Sequence, residues 1–98
     1  MGYSTIGNMK SLLTGITDVC IVTGCCNEAT DCHHIFEGKN KQLSEKFKLM
    51  IPMCHKHHME LHNNQDMNIH FKKIGQVAFE EHIGTREQFT TIFGRNYL

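Results

Sequence analysis

The chain of 98 residues has no tryptophan, a single proline and no net charge, because ten basic side chains are matched by ten acidic ones. A neutral chain lacks the overall positive charge of a general nucleic-acid binder. No apolar run approaches the roughly 20 residues of a membrane-spanning helix, and residues 1–19 lack the apolar stretch of a signal peptide. We therefore expect a single domain without a membrane segment, preceded by a flexible N-terminal arm over 1–19.

Cysteine and histidine are abundant, with five cysteines and eight histidines. An odd number of cysteines cannot pair completely within one chain, and most of them lie close to histidines in the sequence. A disulfide framework in a secreted protein is one interpretation of this composition. We favour metal binding in a reducing, cytoplasmic compartment, because a bound ion would also stabilise a domain with so small a core.

Positive charge is concentrated in the middle of the chain although the total is zero. Residues 39–73 contain seven lysines and three acidic residues, a net charge of +4, and the remainder of the chain carries −4. Such a segment is either a solvated face or a stripe that binds phosphate groups, especially where a divalent ion adds positive charge nearby.

Short extended segments are predicted in the first half of the chain. Residues 20–23 (CIVT) and 33–36 (HHIF) have the length and composition of strands, and a glycine follows soon after each. Residues 39–48 are polar and predict a loop with a helical turn near Ser44. Residues 49–53 (LMIPM) are apolar, and their proline favours extended backbone before it rather than a helix.

Three helices are predicted in the second half of the chain. Residues 55–62 (HKHHMELH) begin the helical pattern, and two asparagines end it. A second helix has Asp66 as its N-cap, and a third begins with the capping-box sequence TREQ at 85–88. Apolar residues at helical spacing on these two helices are expected in the core, and they are Met67, Phe71, Ile74, Ala78, Phe89, Ile92 and Phe93.

One group of potential ligands has the spacing of a structural zinc site. Cys54 and His57 are separated by two residues, as in a zinc knuckle, and Cys20 is the third candidate. The fourth ligand stays open between Cys25, which we favour, and Cys26. The alternative is that these residues are buried free thiols, since cysteine packs as a small apolar side chain.

A second group has the composition of a catalytic metal site. His58 and His62 lie four residues apart on one helical face, and His33 can approach them from a strand. Three protein ligands with open coordination positions are typical of a catalytic ion. His34 would then be free of metal and able to accept a proton from water. The alternative is that all four are solvated surface histidines.

These residues carry a resemblance to a known family. The segment CIVTG…DCHHIFEGKNKQLSEKFKLMIPMCHKHHMELH and the C-terminal stretch GQVAFEEHIGTREQFTTIFGRNYL resemble the HNH (His-Me finger) endonucleases, most closely their small phage and prophage members. The resemblance implies an α+β fold in which 20–98 form a single nuclease domain. It divides this domain into a ββα-metal core over 20–64 and a helical C-terminal extension over 65–98.

The resemblance also implies a role for each histidine of the second group. His33 matches a metal-binding residue of the motif, and His34 matches the general base, which a backbone carbonyl would orient. His58 matches the histidine that follows the second knuckle ligand, and His62 matches the metal-binding residue one turn later. The implied reaction is hydrolysis of phosphodiester bonds with one divalent ion, which is Mg, Mn, Ni or Zn, beside a structural Zn.

Two departures from the family pattern are present. Thr23 stands where many HNH proteins have a cysteine, which affects the structural zinc more than the catalytic site. The asparagine often found in the HNH centre has no clear equivalent, although Asn40 and Ser44 lie nearby in the sequence.

The expected function is therefore that of a DNA endonuclease from a phage or prophage, acting in the bacterial cytoplasm in DNA recombination, repair or packaging. Lys39, Lys41 and Lys46 would hold phosphates next to the cleaved bond. Expected partners are DNA and a recombinase or another phage protein, and the chain would act as a monomer or homodimer. The alternative is a non-catalytic zinc module that binds DNA or a protein.

Overall fold

The computed structural model of the protein describes residues 10–98 and has an α+β fold, as the sequence predicts. Within this range, a two-stranded antiparallel sheet packs with four α-helices. No helix among the described residues is long and apolar enough to cross a membrane. In chain order the elements are β1 (Asp31–His34), α1 (Lys41–Lys46), β2 (Met50–Met53), α2 (His55–His62), α3 (Gln65–His82) and α4 (Arg86–Phe93).

The sheet forms from the predicted extended segment 49–53 and from only part of the predicted strand 33–36. β1 pairs with β2, so that Asp31 lies opposite Met53 and His34 lies opposite Met50. The prediction of a strand at 20–23 is wrong. That segment turns instead. The Cys25 backbone N–H donates to the Val22 carbonyl at 2.9 Å, and Gly24 between them has a positive φ of 84°. The prediction at 33–36 places the strand two residues too late.

The connection between the strands contains more helix than predicted. A 3-10 turn at Gly38–Asn40 leads into α1. The buried Ser44 hydroxyl donates to the Phe36 carbonyl at 2.8 Å and accepts from the Phe36 N–H at 3.0 Å. Lys48, with φ 59, then turns the chain into β2. These contacts attach α1 firmly to the end of β1.

The helices of the second half begin and end near the predicted residues. α2 ends at His62, before the two asparagines. The N-cap of α3 is Asn64 rather than Asp66, because Asn64 has extended backbone and its side chain accepts from the Met67 N–H at 3.1 Å. The capping box of α4 is present, with Thr85 and Gln88 bonded reciprocally.

The C-terminal helices complete the core. Phe36 packs against Phe89 and Phe93, with ring centroids 5.5 Å and 4.7 Å apart. Gly75 of α3 allows this close packing, since a Cβ there would lie 3.1 Å from a Phe36 ring atom and 3.2 Å from an Ile35 side-chain carbon. Of the apolar residues predicted for the core, Phe71, Ala78, Phe89 and Phe93 are buried, whereas Ile92 is exposed.

Part of the segment predicted as a flexible arm contacts the domain. The Leu12 N–H donates to the Lys48 carbonyl at 2.8 Å, and Leu12 and Leu13 pack against the core. Val19 forms an isolated antiparallel bridge with Glu28. Residues 1–9 of the predicted arm lie outside the described residues.

Candidate metal centres and the adjoining cleft

The four residues predicted for a structural zinc come together at the N-terminus of α2. One ligand atom each from Cys20, Cys25, Cys54 and His57 lies within 4.8 Å of the others. Cys54 is the N-cap of α2, and His57 lies in the first turn of that helix. Cys20 and Cys25 come from the turning segment before β1. Cys26 is exposed and lies outside the cluster, so the structure favours Cys25 as the fourth member.

The spacing of these atoms fits a tetrahedral ion. With zinc bonds of usual length, tetrahedral geometry gives about 3.6 Å between a sulfur and a nitrogen and about 3.8 Å between two sulfurs. The His57 Nδ1 lies 3.2 Å from Cys54 Sγ and 3.6 Å from Cys20 Sγ. The Sγ atoms of Cys25 and Cys54 are 4.0 Å apart. The cluster could therefore hold a metal ion such as zinc.

The surroundings of the cluster favour a thiolate at Cys54. The backbone N–H of His57 is the main cause that lowers the pKa of Cys54, to about 6, and the side chains of Asn27, Cys20 and His57 contribute further. Burial raises the pKa of Cys20 instead. Since the thiolate is the form of cysteine that binds metal, Cys54 is the thiol best prepared to act as a ligand at neutral pH.

The three histidines predicted for a catalytic ion also come together. His33 is on β1, while His58 and His62 lie one turn apart on α2, and one ring nitrogen of each is within 4.8 Å of the others. The Nε2 atoms of His58 and His62 are 3.2 Å apart. Two imidazole ligands of one tetrahedral ion have nitrogens about 3.3 Å apart, so this spacing also fits a shared ion.

Burial keeps one member of this cluster neutral. His33 is 3% exposed, and burial, followed by the neighbouring His58 and His62, lowers its pKa to about 3. A neutral imidazole is the form that binds metal. His62, in contrast, is exposed to solvent. The cluster is thus closed on the side of the sheet and open towards solvent.

Asp31 is a residue of this site to which the sequence assigned no role. Its Oδ2 lies 2.7 Å from His58 Nδ1 and 3.1 Å from His55 Nδ1. Burial raises the pKa of Asp31, but hydrogen bonds with His58 and His55 outweigh burial and lower it overall. A carboxylate that accepts from Nδ1–H leaves Nε2 of His58 free to bind an ion. A sequence signal exists, since Asp31 and His33 alternate onto the same face of β1.

Glu37 lies beside His62, the second α2 histidine of this cluster. Its Oε2 is 3.7 Å from His62 Nδ1, and its Oε1 accepts from the Asn68 amide at 3.2 Å. His58 and His62 therefore each have a carboxylate on the Nδ1 side, while their Nε2 atoms point to each other. This arrangement suits paired imidazole ligands.

A cleft of about 310 Å³ joins the histidine cluster to His34. His34 lines this cleft together with the three clustered histidines, although it is adjacent to His33 on β1. Its Nε2 lies 2.8 Å from Glu45 Oε2 of α1. The backbone carbonyl that was expected to orient His34 is not found at this nitrogen, which contacts a carboxylate instead.

The lysines predicted to bind phosphate are placed differently from one another. Lys41 lines the cleft, whereas Lys39 and Lys46 are exposed and are not among the described residues that line it. Lys72 of α3 lies near the cluster. Its positive charge is one of the causes that lower the pKa of His33, after burial and the neighbouring histidines. The sequence did not single out Lys72.

The residues considered as equivalents of missing family positions lie elsewhere. Asn40 donates to the Phe93 carbonyl at 3.2 Å, and the buried Ser44 bonds to the Phe36 backbone. Thr23 lines a separate pocket with Val22 and Phe71. Cys32 is a packed thiol whose Sγ lies 3.8 Å from Met50 Sδ, and burial raises its pKa.

No protein-family model, no curated protein and no solved structure matches the chain. Any function assigned to it therefore depends on its own residues and their geometry.

Proposed function

We propose that the protein is a metal-dependent endonuclease of the HNH (His-Me finger) type that hydrolyses phosphodiester bonds in DNA. One observation carries the proposal: three imidazoles lie at the spacing of ligands to one ion, beside a fourth imidazole, His34, that lines the same cleft. The arrangement of β1, β2 and α2, with histidines on β1 and α2, supports a ββα-metal core. Helices α3 and α4 would be its C-terminal extension.

The composition of the histidine cluster supports catalysis more than a purely structural role. Structural zinc sites are closed by four protein ligands, whereas catalytic sites keep a position for water or substrate. Here the described residues supply three imidazoles, and His62 is exposed to solvent. Asp31 would hold His58 in the tautomer that binds metal.

Each side chain of the cleft has a chemical task in this proposal. A divalent ion held by His33, His58 and His62 would supply positive charge that stabilises the phosphate group as it is attacked. His34 takes a proton from the attacking water. Lys41 lies in the same cleft and binds a phosphate oxygen of the backbone, which positions the strand without reading its sequence.

The cluster of three cysteines and His57, here called the thiol cluster, would have a different role. An ion on Cys20, Cys25, Cys54 and His57 would join the turning segment before β1 to the N-terminus of α2. His58 follows His57 directly, so such an ion would also fix the position of the histidines on α2. We propose that this ion is zinc and that it stabilises the fold rather than taking part in hydrolysis.

The biological setting in the proposal follows the sequence resemblance. It is a phage or prophage protein that acts on DNA in the bacterial cytoplasm during recombination, repair or packaging. A recombinase or another phage protein is the proposed partner, and the active unit is a monomer or a homodimer.

Cleavage of plasmid DNA tests the proposal. We expect the purified protein to nick supercoiled plasmid when Mg²⁺, Mn²⁺ or Ni²⁺ is added, and we expect EDTA to stop the reaction. The zinc content is measured in parallel, so that inactivity caused by loss of the structural ion is recognised. A folded, zinc-containing protein that cuts neither duplex nor single-stranded DNA with any of these ions would overturn the proposal.

A non-catalytic zinc module is the second candidate. The thiol cluster favours it, because four ligands at tetrahedral spacing form a complete structural site without any need for catalysis. Binding of DNA without cleavage in the same experiment would support this candidate.

A further inference from the structure

A carboxylate outside both clusters contacts the residue proposed as the general base. Glu45 Oε2 lies 2.8 Å from His34 Nε2. An ionised carboxylate accepts hydrogen bonds and cannot donate them, so Nε2 must carry the proton and donate it to Glu45. In a neutral ring this leaves Nδ1 as the nitrogen that can accept a proton.

We propose that Glu45 is a positioning residue for His34: it holds the imidazole with Nε2–H towards α1 and keeps Nδ1 available to the cleft. This inference rests on the proposed function, in which His34 takes a proton from water. Glu45 acts through His34 and is assigned no contact with the substrate or the ion.

The backbone around Glu45 is held in place by buried contacts. The preceding residue, Ser44, is fully buried and bonds to both the N–H and the carbonyl of Phe36. The Leu49 N–H donates to the Ser44 carbonyl at 2.8 Å, which ties the end of α1 to the start of β2. Glu45 therefore projects from a fixed point of the core, and His34 projects from β1 opposite it.

The negative charge of Glu45, taken alone, disfavours the binding of DNA. Its side chain is 57% exposed, and it contacts His34, which lines the same cleft as Lys41. An exposed carboxylate repels a phosphate backbone, so removing it should improve or leave unchanged the affinity for DNA. If Glu45 orients His34, removing Glu45 should instead lower the rate of catalysis, because a misplaced base slows proton transfer.

The test compares Glu45→Ala with Gln42→Ala, a matched control on the exposed face of the same helix. In the metal-loaded protein we expect Glu45→Ala to lower kcat for plasmid nicking by about tenfold or more, without raising KM. We expect Gln42→Ala to keep the kcat, the metal content and the melting temperature of the natural chain. A kcat within twofold of the natural chain for Glu45→Ala would overturn the inference. So would a lower kcat accompanied by loss of metal or of thermal stability.

A second measurement does not depend on activity. NMR of ¹⁵N-labelled histidine reports which nitrogen of the His34 ring carries the proton. We expect the Nε2–H tautomer in the natural chain and a mixture of tautomers in Glu45→Ala. An identical tautomer distribution in both proteins would overturn the inference. A natural chain that does not cleave DNA would instead contradict the proposed function, and the NMR comparison would still decide the role of Glu45.

Discussion

At the scale of single residues, adjacent histidines have different environments. His33 is buried and clustered with His58 and His62, whereas His34 contacts the carboxylate of Glu45. The pair therefore divides into a residue suited to bind metal and a residue suited to move a proton. Sequence alone predicted different environments for the two residues, because successive residues of a strand point in different directions, and their roles stay predictions.

The carboxylates that hold these rings were harder to predict. Glu45 is eleven residues from His34 in the sequence, and Asp31 is twenty-seven from His58. No local spacing relates them, and their contacts exist only after β1 has packed against α1 and α2. Sequence patterns reveal ligands on one helix far better than partners from separate elements.

Asp31 gives the first prediction. Asp31→Ala removes the acceptor that fixes the His58 tautomer, so we expect about 10- to 100-fold weaker binding of a divalent ion at the histidine cluster. Calorimetric titration with Ni²⁺, in protein whose thiol cluster already holds zinc, measures the affinity. Asp18→Ala, at an exposed aspartate outside both clusters, serves as the control. Equal affinities in the two variants would contradict the assigned role of Asp31.

At the scale of elements, the helices were predicted more accurately than the strands, because 33–36 overlaps β1 only in part and 20–23 is not a strand. The spacing of His58 and His62 on α2 and the capping box of α4 are local signals, and both helices occupy the predicted residues. The segment 20–23 has the composition of a strand, yet it turns to bring Cys20 and Cys25 into one cluster. A four-residue apolar run fits either shape, and its long-range contacts decide between them.

The thiol cluster gives the second prediction, since it connects the turning segment before β1 to the N-terminus of α2. Cys54→Ser should lose the bound zinc and lower the melting temperature, because metal binding at such a site is coupled to folding. Elemental analysis and thermal unfolding measure the two quantities. Cys26→Ser is the matched control, as Cys26 is exposed and outside the cluster. A Cys54→Ser protein with zinc and an unchanged melting temperature would rule out a structural ion there.

At the scale of the whole molecule, one ionic contact joins α3 to α4. Glu80 Oε2 accepts from Arg86 Nε at 3.1 Å and from the Gln76 amide at 2.9 Å. The buried Gln76 also donates to Asn96 and accepts from the Tyr97 N–H, so the network reaches the C-terminal residues. These contacts depend on the packed helices, and no sequence motif indicated them.

The third prediction concerns the stability of this contact at low pH. The hydrogen bond from Arg86 is the main cause that lowers the pKa of Glu80 below its usual 4.5. A carboxyl group with a lowered pKa in the folded state stabilises the fold above its unfolded pKa, and the contribution is lost as pH falls through the folded pKa. Glu80→Gln should therefore lower the melting temperature near neutral pH, and the difference from the natural chain should shrink below about pH 4.

Thermal unfolding across this pH range measures the difference. Glu81→Gln, at the neighbouring exposed position, is the control and should show little effect at any pH. A destabilisation by Glu80→Gln that is independent of pH would show that the side chain acts through packing rather than charge.

The central claim is that His34 is a base held apart from the ligands of the ion, and one variant tests it most directly. His34→Ala and the control His82→Ala, at an exposed histidine outside both clusters, are compared for plasmid nicking and for bound divalent metal. We predict that His34→Ala loses cleavage by about 100-fold or more while its metal content and affinity stay those of the natural chain. Cleavage by His34→Ala at the rate of His82→Ala, or loss of metal from His34→Ala, would contradict the claim.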